Sequence, residues 1–397
     1  MLLVHRAPVV LPISAPPISD GAVLTDGGVI VEVGPYAHLK GRGQVQDHEG
    51  AMLLPALINC HAHLELSHLA DLGQGPPQQG DMTGWIGGLL AARQHAAADG
   101  FAAARLALDA LHQQGVGCVA DIGNLSDSEK IGEGHAVEVI FFLEMLGFSA
   151  HSGANALARM QQCPWDCTSH APYTNHALLL VAAKQRARSR KHIFPIHVAE
   201  SRAEIDFLLD GSGPLRPFIE ERGFWDGSFI PPGCGAVTYL DRLGIIDGQT
   251  VCVHCVHVTD DEIALLAARR ARVCLCPGSN RHLGVGRAPV EKMVRAGIVL
   301  GLGTDSLASN PQLSIWEEMR LVREDHPQLA PRAVLAMATG GGARCLAVPD
   351  LGELAPGRKA AIIAVEAQGI TAGNADDFLT SAGKGVRVRW VEGGRVR

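Results

Sequence analysis

Short apolar runs alternate with helix-like segments through the middle of the chain. Strand-like runs such as "MLLPALIN" (52–59) and "VGCVADIG" (116–123) are followed by Ala-rich and Leu-rich stretches, as in "GWIGGLLAARQHAAA" (84–98). This alternation is typical of a parallel sheet with right-handed crossovers. Seven or eight such units between residues 53 and 347 predict an α/β fold, a closed (β/α)8 barrel of the TIM type.

The two ends of the chain have a different pattern of hydrophobic and polar residues. Residues 1–52 contain short β-segments separated by Gly, Pro and Asp turns, and the tail repeats this pattern in "AAIIAVEA" and "VRVRWVEGGRVR". We therefore expect a small discontinuous β-sandwich domain, built from residues 1–52 and 348–397, beside a barrel of residues 53–347.

Composition limits the classes of partner. The chain is 47% hydrophobic and 19% charged, with a net charge of -7 and no basic block, which argues against nucleic acid or a polybasic membrane contact. No apolar run approaches the roughly 18 residues that span a bilayer, and "MLLVHRAPVVLPIS" lacks the apolar core of a leader. We expect a cytoplasmic protein with a small-molecule partner.

The cysteines present a possible but unfavourable metal site. Cys252 and Cys255, followed by Cys274 and Cys276, roughly imitate a zinc ribbon. Residues three apart in a strand face opposite sides, and the second pair lacks the two-residue knuckle of such sites. Reduced, buried thiols are the preferred interpretation.

Polar residues at the ends of the apolar runs are better candidates for a metal site. His61 and His63 are two apart in "LINCHAHLELSHL", so on a strand both side chains point to the same side. Later runs end in, or are followed by, His197, Glu200, His254 and Asp305. Any one of these could be an ordinary core residue or a helix cap. Imidazoles and a carboxylate meeting at the C-terminal ends of barrel strands, however, suit a catalytic zinc or iron with a position left for water.

The order of motifs resembles the amidohydrolase superfamily, in its cytosine-deaminase and chlorohydrolase-like branch. The motifs are "HAHLELS", "SHAPYT", "HVAES", "VHCVHV", "CPGSN" and "GTDSLAS". The resemblance covers nearly the whole chain. It implies one divalent metal per chain, zinc by preference and iron as the alternative, bound by His61, His63, His197 and Asp305. No strand-end lysine stands where two-metal members carry a carboxylated one.

The resemblance and the chemistry of these groups predict a hydrolytic deaminase. A metal lowers the pKa of bound water, and Asp305 can accept that water's proton. Glu200, close to His197, can protonate a ring nitrogen so that water attacks the adjacent carbon and ammonia leaves. His254 would orient the nucleophile. His257 is the other candidate for this role, and the family pattern favours His254.

The substrate is expected to be an adenosine-like nucleoside. In related deaminases a His such as His170 contacts the ribose region, but Gly84 precedes Trp85 where S-adenosylhomocysteine and methylthioadenosine deaminases carry a Glu. The combined motifs look more like aminodeoxyfutalosine deaminases of menaquinone biosynthesis, whose substrate bears a carboxylate that arginine matches. The predicted substrate-contacting residues are Trp85, Arg93, His170, Asn280, Arg281 and Arg287.

Three alternatives remain open at this point. S-adenosylhomocysteine, methylthioadenosine or guanine could be the substrate instead, as could a non-nucleoside amidine. A non-catalytic barrel scaffold would have lost a metal ligand or Glu200, and none is lost. Deamination of nucleic acid is disfavoured, since its H-x-E and P-C-x-x-C signature is absent. Barrel relatives are often dimers, so a homodimer is possible.

Overall fold

The computed structural model describes residues 1–95, 99–125 and 127–394, which form three β-sheets and the helices around them. The strands are β1 (Leu2–Val10), β2 (Ile18–Asp26), β3 (Val29–Pro35), β4 (Gln44–Asp47), β5 (Ala51–Pro55), β6 (Leu57–Ala62), β7 (Val116–Gly123), β8 (Glu138–Met145), β9 (Cys167–Ser169), β10 (Phe194–Val198), β11 (Thr250–His254), β12 (Arg272–Leu275), β13 (Val299–Leu302), β14 (Ile362–Glu366) and β15 (Val388–Glu392).

Most of the helices lie between the strands of the central part of the chain. They are α1 (Tyr36–Leu39), α2 (Ala70–Gln74), α3 (Met82–His95), α4 (Gly100–Gln113), α5 (Ala150–Gln162), α6 (Ala177–Arg190), α7 (Arg202–Asp210), α8 (Leu215–Glu221), α9 (Ala236–Arg242), α10 (Asp260–Ala268), α11 (Pro277–Leu283), α12 (Val290–Arg295), α13 (Ile315–Asp325), α14 (Pro331–Met337), α15 (Gly340–Leu346) and α16 (Ala375–Ser381). Short 3₁₀ helices cover Leu64–Leu69, Ser128–Gly132 and Gly383–Gly385.

Two of the sheets are four-stranded and parallel. Their orders are β6-β7-β8-β9 and β10-β11-β12-β13, so each strand pairs with its neighbour in the chain. Every residue of β6, β7, β10 and β11 is buried, as expected for parallel strands covered on both faces. The predicted α/β fold with parallel sheets is therefore present, and it is consistent with a fold of the TIM type.

The two parallel sheets contact each other at the C-terminal ends of their edge strands. The backbone N–H groups of Thr304 and Asp305 both donate to the carbonyl of His61 at 3.0 Å, beside an isolated parallel bridge between Ala62 and Asp305. At the other edge, the N–H of His197 donates to the carbonyl of His170 at 3.0 Å. Polar residues from both sheets thus meet in one place.

The third sheet joins the two ends of the chain. It has seven strands, in the order β15-β14-β5-β1-β2-β3, with β4 paired to β1. Strand β14 runs antiparallel to β5 and brings the tail beside the N-terminal strands. Strand β5 extends to Pro55, past the predicted boundary at residue 52. The tail also contains α16, a helix that the β-rich pattern did not predict.

Some predicted segments extend beyond the described residues. The predicted helix at 84–98 corresponds to α3, and its last three residues lie outside the described part of the chain, as do residues 395–397 of the predicted C-terminal hairpin. Within the described ranges no helix is long and apolar enough to cross a bilayer. All ten cysteines are free, and all except Cys234 are buried.

Candidate active site

Three imidazoles converge at the C-terminal ends of the parallel strands. His61 lies near the end of β6, His63 follows that strand, and His197 lies near the end of β10. The Nε2 atom of His197 is 3.2 Å from Nε2 of His61 and 3.4 Å from Nε2 of His63. The rings of His61 and His63 are 4.8 Å apart, so both side chains project to the same side.

Asp305 completes a set of four donor atoms. Its Oδ1 is 3.7 Å from Nε2 of both His61 and His63, while its Oδ2 accepts hydrogen bonds from Ser279 Oγ at 2.7 Å and Ser309 Oγ at 2.9 Å. A tetrahedral ion with bonds of about 2.05 Å holds its ligands about 3.3 Å apart. The donors therefore have the spacing and the chemistry that fit a divalent metal.

Burial keeps two of these imidazoles neutral. It lowers the pKa of His61 to about 4, although the Asp305 carboxylate, 3.7 Å away, acts in the opposite direction, and it lowers the pKa of His197 well below its usual value. A neutral imidazole offers the lone pair that a metal requires. For His63, burial also lowers the pKa, but nearby carboxylates, Glu144 first among them, outweigh burial and raise it.

The backbone is strained where the site residues leave their strands. Ala199, His254 and Asp305 have φ values of 53°, 72° and 58°, in the left-handed region that side-chain-bearing residues seldom adopt. Such strain persists when the surrounding structure holds it, and it concentrates at functional sites. Here it accompanies the turn that directs His254 and Asp305 toward the cluster.

Glu200 lies beside the cluster and faces His254. Its Oε1 is 3.5 Å from His254 Nε2, and burial raises the pKa of its carboxyl. The start of α7 fixes this segment: Ser201 caps the helix, and Glu204 accepts hydrogen bonds from the N–H groups of Ala199 and Glu200 at 3.0 and 2.9 Å. The carboxyl can thus hold a proton next to the metal-binding atoms.

The partner of His254 sets the ring's orientation. Its Nδ1 is 2.9 Å from the side-chain oxygen of Asn280. Because that oxygen only accepts, Nδ1 carries a hydrogen, so in the neutral ring the lone pair is on Nε2, which faces Glu200. His257, the rival candidate, lies instead 2.8 Å from the carbonyl of Val285 through its Nε2.

A cavity of about 370 Å³ opens above these residues. Its floor contains His63, His197, Glu200, His254 and Asp305. Its walls are largely apolar and include Trp85, Leu89, Phe148, Tyr173, Phe218 and Ile219. An apolar pocket with a few convergent polar groups is typical of a small-molecule site.

Three of the six predicted substrate residues line this cavity. They are Trp85, Arg93 and His170. The guanidinium of Arg93 is paired with the buried carboxylate of Glu65 at 2.7 Å. His170 Nδ1 is 3.0 Å from Thr174 Oγ1, and burial lowers the pKa of this imidazole.

The other three predicted residues lie elsewhere. Arg281 and Arg287 line a separate cavity of about 220 Å³, where both guanidinium groups pair with Asp325 at 2.7 and 3.1 Å. Asn280 also lines that second cavity and reaches the site through His254. The structure therefore does not bring these two arginines to the cluster.

Among the polar residues that sequence reasoning missed, Glu144 and Arg222 line the first cavity, and Glu65 binds a residue of its wall. Glu144 ends the apolar run "EVIFFLEM" and could have been found by the same strand-end rule as His61. Glu65 stands within "HLELS" and holds Arg93 against the cavity wall. Arg222 follows α8 and had no local signal, because only tertiary packing carries it to the cavity.

The family model described as "Amidohydrolase family" matches residues 52–396 of the chain. This protein belongs to the amidohydrolase family. The resemblance inferred from the motifs is thereby confirmed. Members of this family bind a divalent metal, and the His/Asp cluster provides a possible site for one.

Two curated relatives and one solved structure illustrate the similarity. A 5-methylthioadenosine/S-adenosylhomocysteine deaminase of Nitratidesulfovibrio vulgaris (strain DP4) is 29% identical over 387 residues, covering 88% of this chain and 79% of that protein. An aminodeoxyfutalosine deaminase of Deinococcus radiodurans is 29% identical over 351 residues, covering 82% and 81%. The crystal structure of an adenosine deaminase from Xanthomonas campestris with bound zinc has a TM-score of 0.79 and 24% identity, covering 99% and 92%.

These similarities decide the class of reaction. The family and the deaminase relatives confirm the prediction of a hydrolytic deaminase. The solved structure has the same fold. The relatives differ in the nucleoside that each one is named for, so the amidohydrolase fold by itself leaves several adenosine-type substrates.

Proposed function

We propose that this protein is a zinc-dependent deaminase that removes the 6-amino group of an adenosine-like nucleoside. Aminodeoxyfutalosine is the preferred substrate, which would give the protein a role in menaquinone biosynthesis; S-adenosylhomocysteine and methylthioadenosine are the alternatives. The observation that carries the proposal is the Glu200 carboxyl, 3.5 Å from His254 Nε2 and beside the four donor atoms. A protonated acid next to a metal site suits attack of water on a ring carbon.

The metal ligands are proposed to be His61, His63, His197 and Asp305. When bound, the metal lowers the pKa of a water molecule from 15.7 toward about 7, which provides a nucleophile at neutral pH. The near-tetrahedral spacing of the donors supports zinc, as does the bound zinc of the Xanthomonas campestris deaminase. Iron is the alternative because it accepts the same ligands.

Three side chains are assigned roles in the reaction: Glu200 and Asp305 transfer protons, and His254 orients the water. Glu200 donates its proton to the ring nitrogen next to the amino-bearing carbon, which makes that carbon electrophilic. His254 accepts a hydrogen bond from the attacking water through its Nε2 lone pair. Asp305 takes a proton from the water as the water oxygen bonds to the carbon, and passes that proton to the amino group. The bond between the carbon and the amino nitrogen then breaks, and ammonia leaves. Glu200 recovers a proton from the hydroxyl left on the carbon, which becomes a carbonyl.

The preference for a carboxylate-bearing nucleoside rests on Arg222. Its guanidinium lies at the cavity wall, 3.6 Å from the centre of the Phe218 ring, and contacts the Phe218 carbonyl at 3.4 Å. Among the described residues no acidic side chain forms an ion pair with it, whereas Arg93 is neutralised by Glu65. A substrate carboxylate can satisfy Arg222 with paired hydrogen bonds.

Ammonia release from a substrate panel tests the reaction. Zinc-loaded protein is given aminodeoxyfutalosine, S-adenosylhomocysteine, methylthioadenosine, adenosine and guanine. We expect the highest kcat/KM for aminodeoxyfutalosine. If methylthioadenosine has the highest kcat/KM, it replaces aminodeoxyfutalosine as the proposed substrate, and the proposed reaction stands. No ammonia release from any nucleoside by metal-replete protein would overturn the proposal.

A pair of arginine variants tests the carboxylate preference. Arg222→Met should raise KM for aminodeoxyfutalosine about 10- to 100-fold, the effect of one hydrogen bond to a charged group, and leave KM for methylthioadenosine unchanged. Arg216→Met is the matched control, because Arg216 lies on α8, the helix that Arg222 follows, but pairs with Glu220 at 2.9 Å. Equal effects on both substrates would contradict the assignment.

We also propose that β6 to β13 close into one (β/α)8 barrel and that residues 1–52 and 348–397 form a composite β domain. The hydrogen bonds of His61 and His197 across the two sheet edges support closure. The seven-stranded sheet shared by both chain ends supports the second domain. A crystal structure of the protein would test both.

A further inference from the structure

A buried carboxylate at the end of β8 has one oxygen without a partner. Glu144 is only 3% exposed, and it lines the active-site cavity. Its Oε2 accepts a hydrogen bond from Asn124 Nδ2 at 2.8 Å. Its Oε1 has no hydrogen-bond partner among the described residues. The mechanism above does not use this group.

The nearest imidazole does not satisfy that oxygen. His197 Nδ1 is 3.9 Å from Glu144 Oε1, which is beyond hydrogen-bond length. The same Nδ1 is already 2.8 Å from the carbonyl of His170. The Nε2 atom of His197, on the other edge of the ring, faces His61 and His63.

The orientation of Glu144 is held by a chain of polar contacts. Asn124, which donates to Glu144, accepts from Arg93 Nη1 at 3.3 Å through its side-chain oxygen. Its backbone N–H donates to Glu65 Oε2 at 2.9 Å, and Glu65 Oε1 accepts from Arg93 at 2.7 Å. Each polar partner is thus fixed by another, and Glu144 Oε1 is left as a positioned acceptor.

A buried carboxylate oxygen without a donor is unfavourable, so a donor that enters the cavity is needed to satisfy it. An adenosine-like nucleoside carries two kinds of strong donor, the 6-amino group and the sugar hydroxyls. In the proposed mechanism the reacting carbon and its amino group lie at the metal-binding cluster, with Glu200 on the adjacent ring nitrogen. The hydroxyls remain available.

We propose that Glu144 accepts a hydrogen bond from a sugar hydroxyl of the nucleoside and thereby selects ribonucleosides over their deoxy analogues. The inference rests on the proposed function, because it requires a nucleoside in this cavity. Asn124 is the positioning residue that keeps the Glu144 carboxylate turned toward the substrate.

The test combines loss of the carboxylate with loss of a substrate hydroxyl. Wild type, Glu144→Leu and Glu144→Gln are compared on adenosine, 2′-deoxyadenosine and 3′-deoxyadenosine, and metal content is measured for each protein. Wild type should prefer adenosine over one deoxy analogue by about 10- to 150-fold in kcat/KM, as expected for a hydrogen bond to a charged acceptor. In Glu144→Leu this preference should fall to about threefold or less, with one metal per chain retained.

Two variants, Glu144→Gln and Glu138→Leu, make the result specific. Glu144→Gln keeps an acceptor oxygen, so it should retain part of the preference and also serves if the Leu variant fails to fold. Glu138→Leu is the matched control on the same strand, because Glu138 is exposed and pairs with Lys359 at 2.8 Å; its hydroxyl preference should equal that of wild type.

Three outcomes would overturn the inference. They are an unchanged ribose preference in the metal-replete Glu144 variants, the absence of any preference in wild type, and loss of metal with loss of Glu144. If wild type deaminates aminodeoxyfutalosine but none of these three adenosines, calorimetric binding of coformycin and 2′-deoxycoformycin replaces turnover. Failure of metal-replete wild type to deaminate any nucleoside would remove the proposed function together with this inference, whereas binding of both inhibitors with no change on substitution would remove this inference alone.

Discussion

The same parallel strands carry two groups of potential metal ligands, and burial has opposite consequences for them. At the strand ends, burial lowers the pKa of His61 to about 4. Within the strands, burial raises the pKa of the Cys118 and Cys274 thiols well above the usual value. Metal ligands must be deprotonated. The same loss of solvent therefore leaves the His61 imidazole ready to bind a metal and keeps the Cys118 and Cys274 thiols protonated.

Strand geometry separates the two groups further. Cys60 and His61 are neighbours on β6 and point to opposite faces. Cys60 packs in an apolar cluster with Cys274 and Cys345, whereas His61 joins the donor atoms near Asp305. The alternation of the strand thus places the thiol in the apolar core and the imidazole beside the other donor atoms.

The largest effect is expected when the negative charge of Asp305, beside the imidazoles at the strand ends, is removed. Asp305→Asn should lower kcat/KM by at least about 10⁴-fold, since it removes a general base, worth 10² to 10⁴, and a metal ligand. Metal content by mass spectrometry should fall as well. Asp325→Asn is the matched control, because Asp325 is buried but pairs with Arg281 away from the cluster. Full activity and metal in Asp305→Asn would remove Asp305 from the site.

The next test separates proton transfer from metal binding. Glu200→Gln should lower kcat about 10² to 10³-fold while one metal per chain is retained. Burial raises the pKa of Glu200, and the acid form is the active one, so wild-type kcat should decline as the pH rises through that pKa. The pH profile of Glu200→Gln should lack this decline of kcat with rising pH. A rate close to wild type would contradict the role of Glu200.

A weaker effect is expected from the partner of His254. Asn280→Leu removes the acceptor that holds His254 Nδ1 at 2.9 Å, and loss of such an orienting hydrogen bond lowers activity about 10- to 100-fold. Asn280→Asp keeps an acceptor and should recover most of the rate. Steady-state kinetics with metal analysis will distinguish them, and equal rates for both variants would argue against an orienting role.

The smallest effect on activity should come from a substitution among the buried cysteines. Cys274→Ser should retain full metal content and activity within about twofold, because the protonated thiol is not a ligand. Urea unfolding should show a loss of about 1–3 kcal/mol, the consequence of burying a hydroxyl among apolar neighbours. Loss of one metal per chain would instead support the cysteine site.

Much of the donor set could be predicted from local pattern. His61 and His63 were found because two residues is the side-chain repeat of a strand, and His197 and His254 because each ends an apolar run. The geometry brings the four rings together, with those of His63, His197 and His254 within 6.2 Å of the ring of His61. Glu144 obeys the same rule and was overlooked, since a single Glu after "VIFFL" has no sequence partner to draw attention to it.

The sequence by itself determined the alternating elements, the reduced cysteines and the side of each strand on which its polar residues project, because these depend on backbone repeats of a few residues. Only the tertiary structure showed which arginines line the first cavity: Arg93, predicted from the sequence, does so, and so does Arg222, which was not predicted. Arg281 and Arg287 pair with Asp325 elsewhere, while Arg222 stands at the cavity wall. Helix packing between segments far apart in the chain sets these positions, and no local period encodes it.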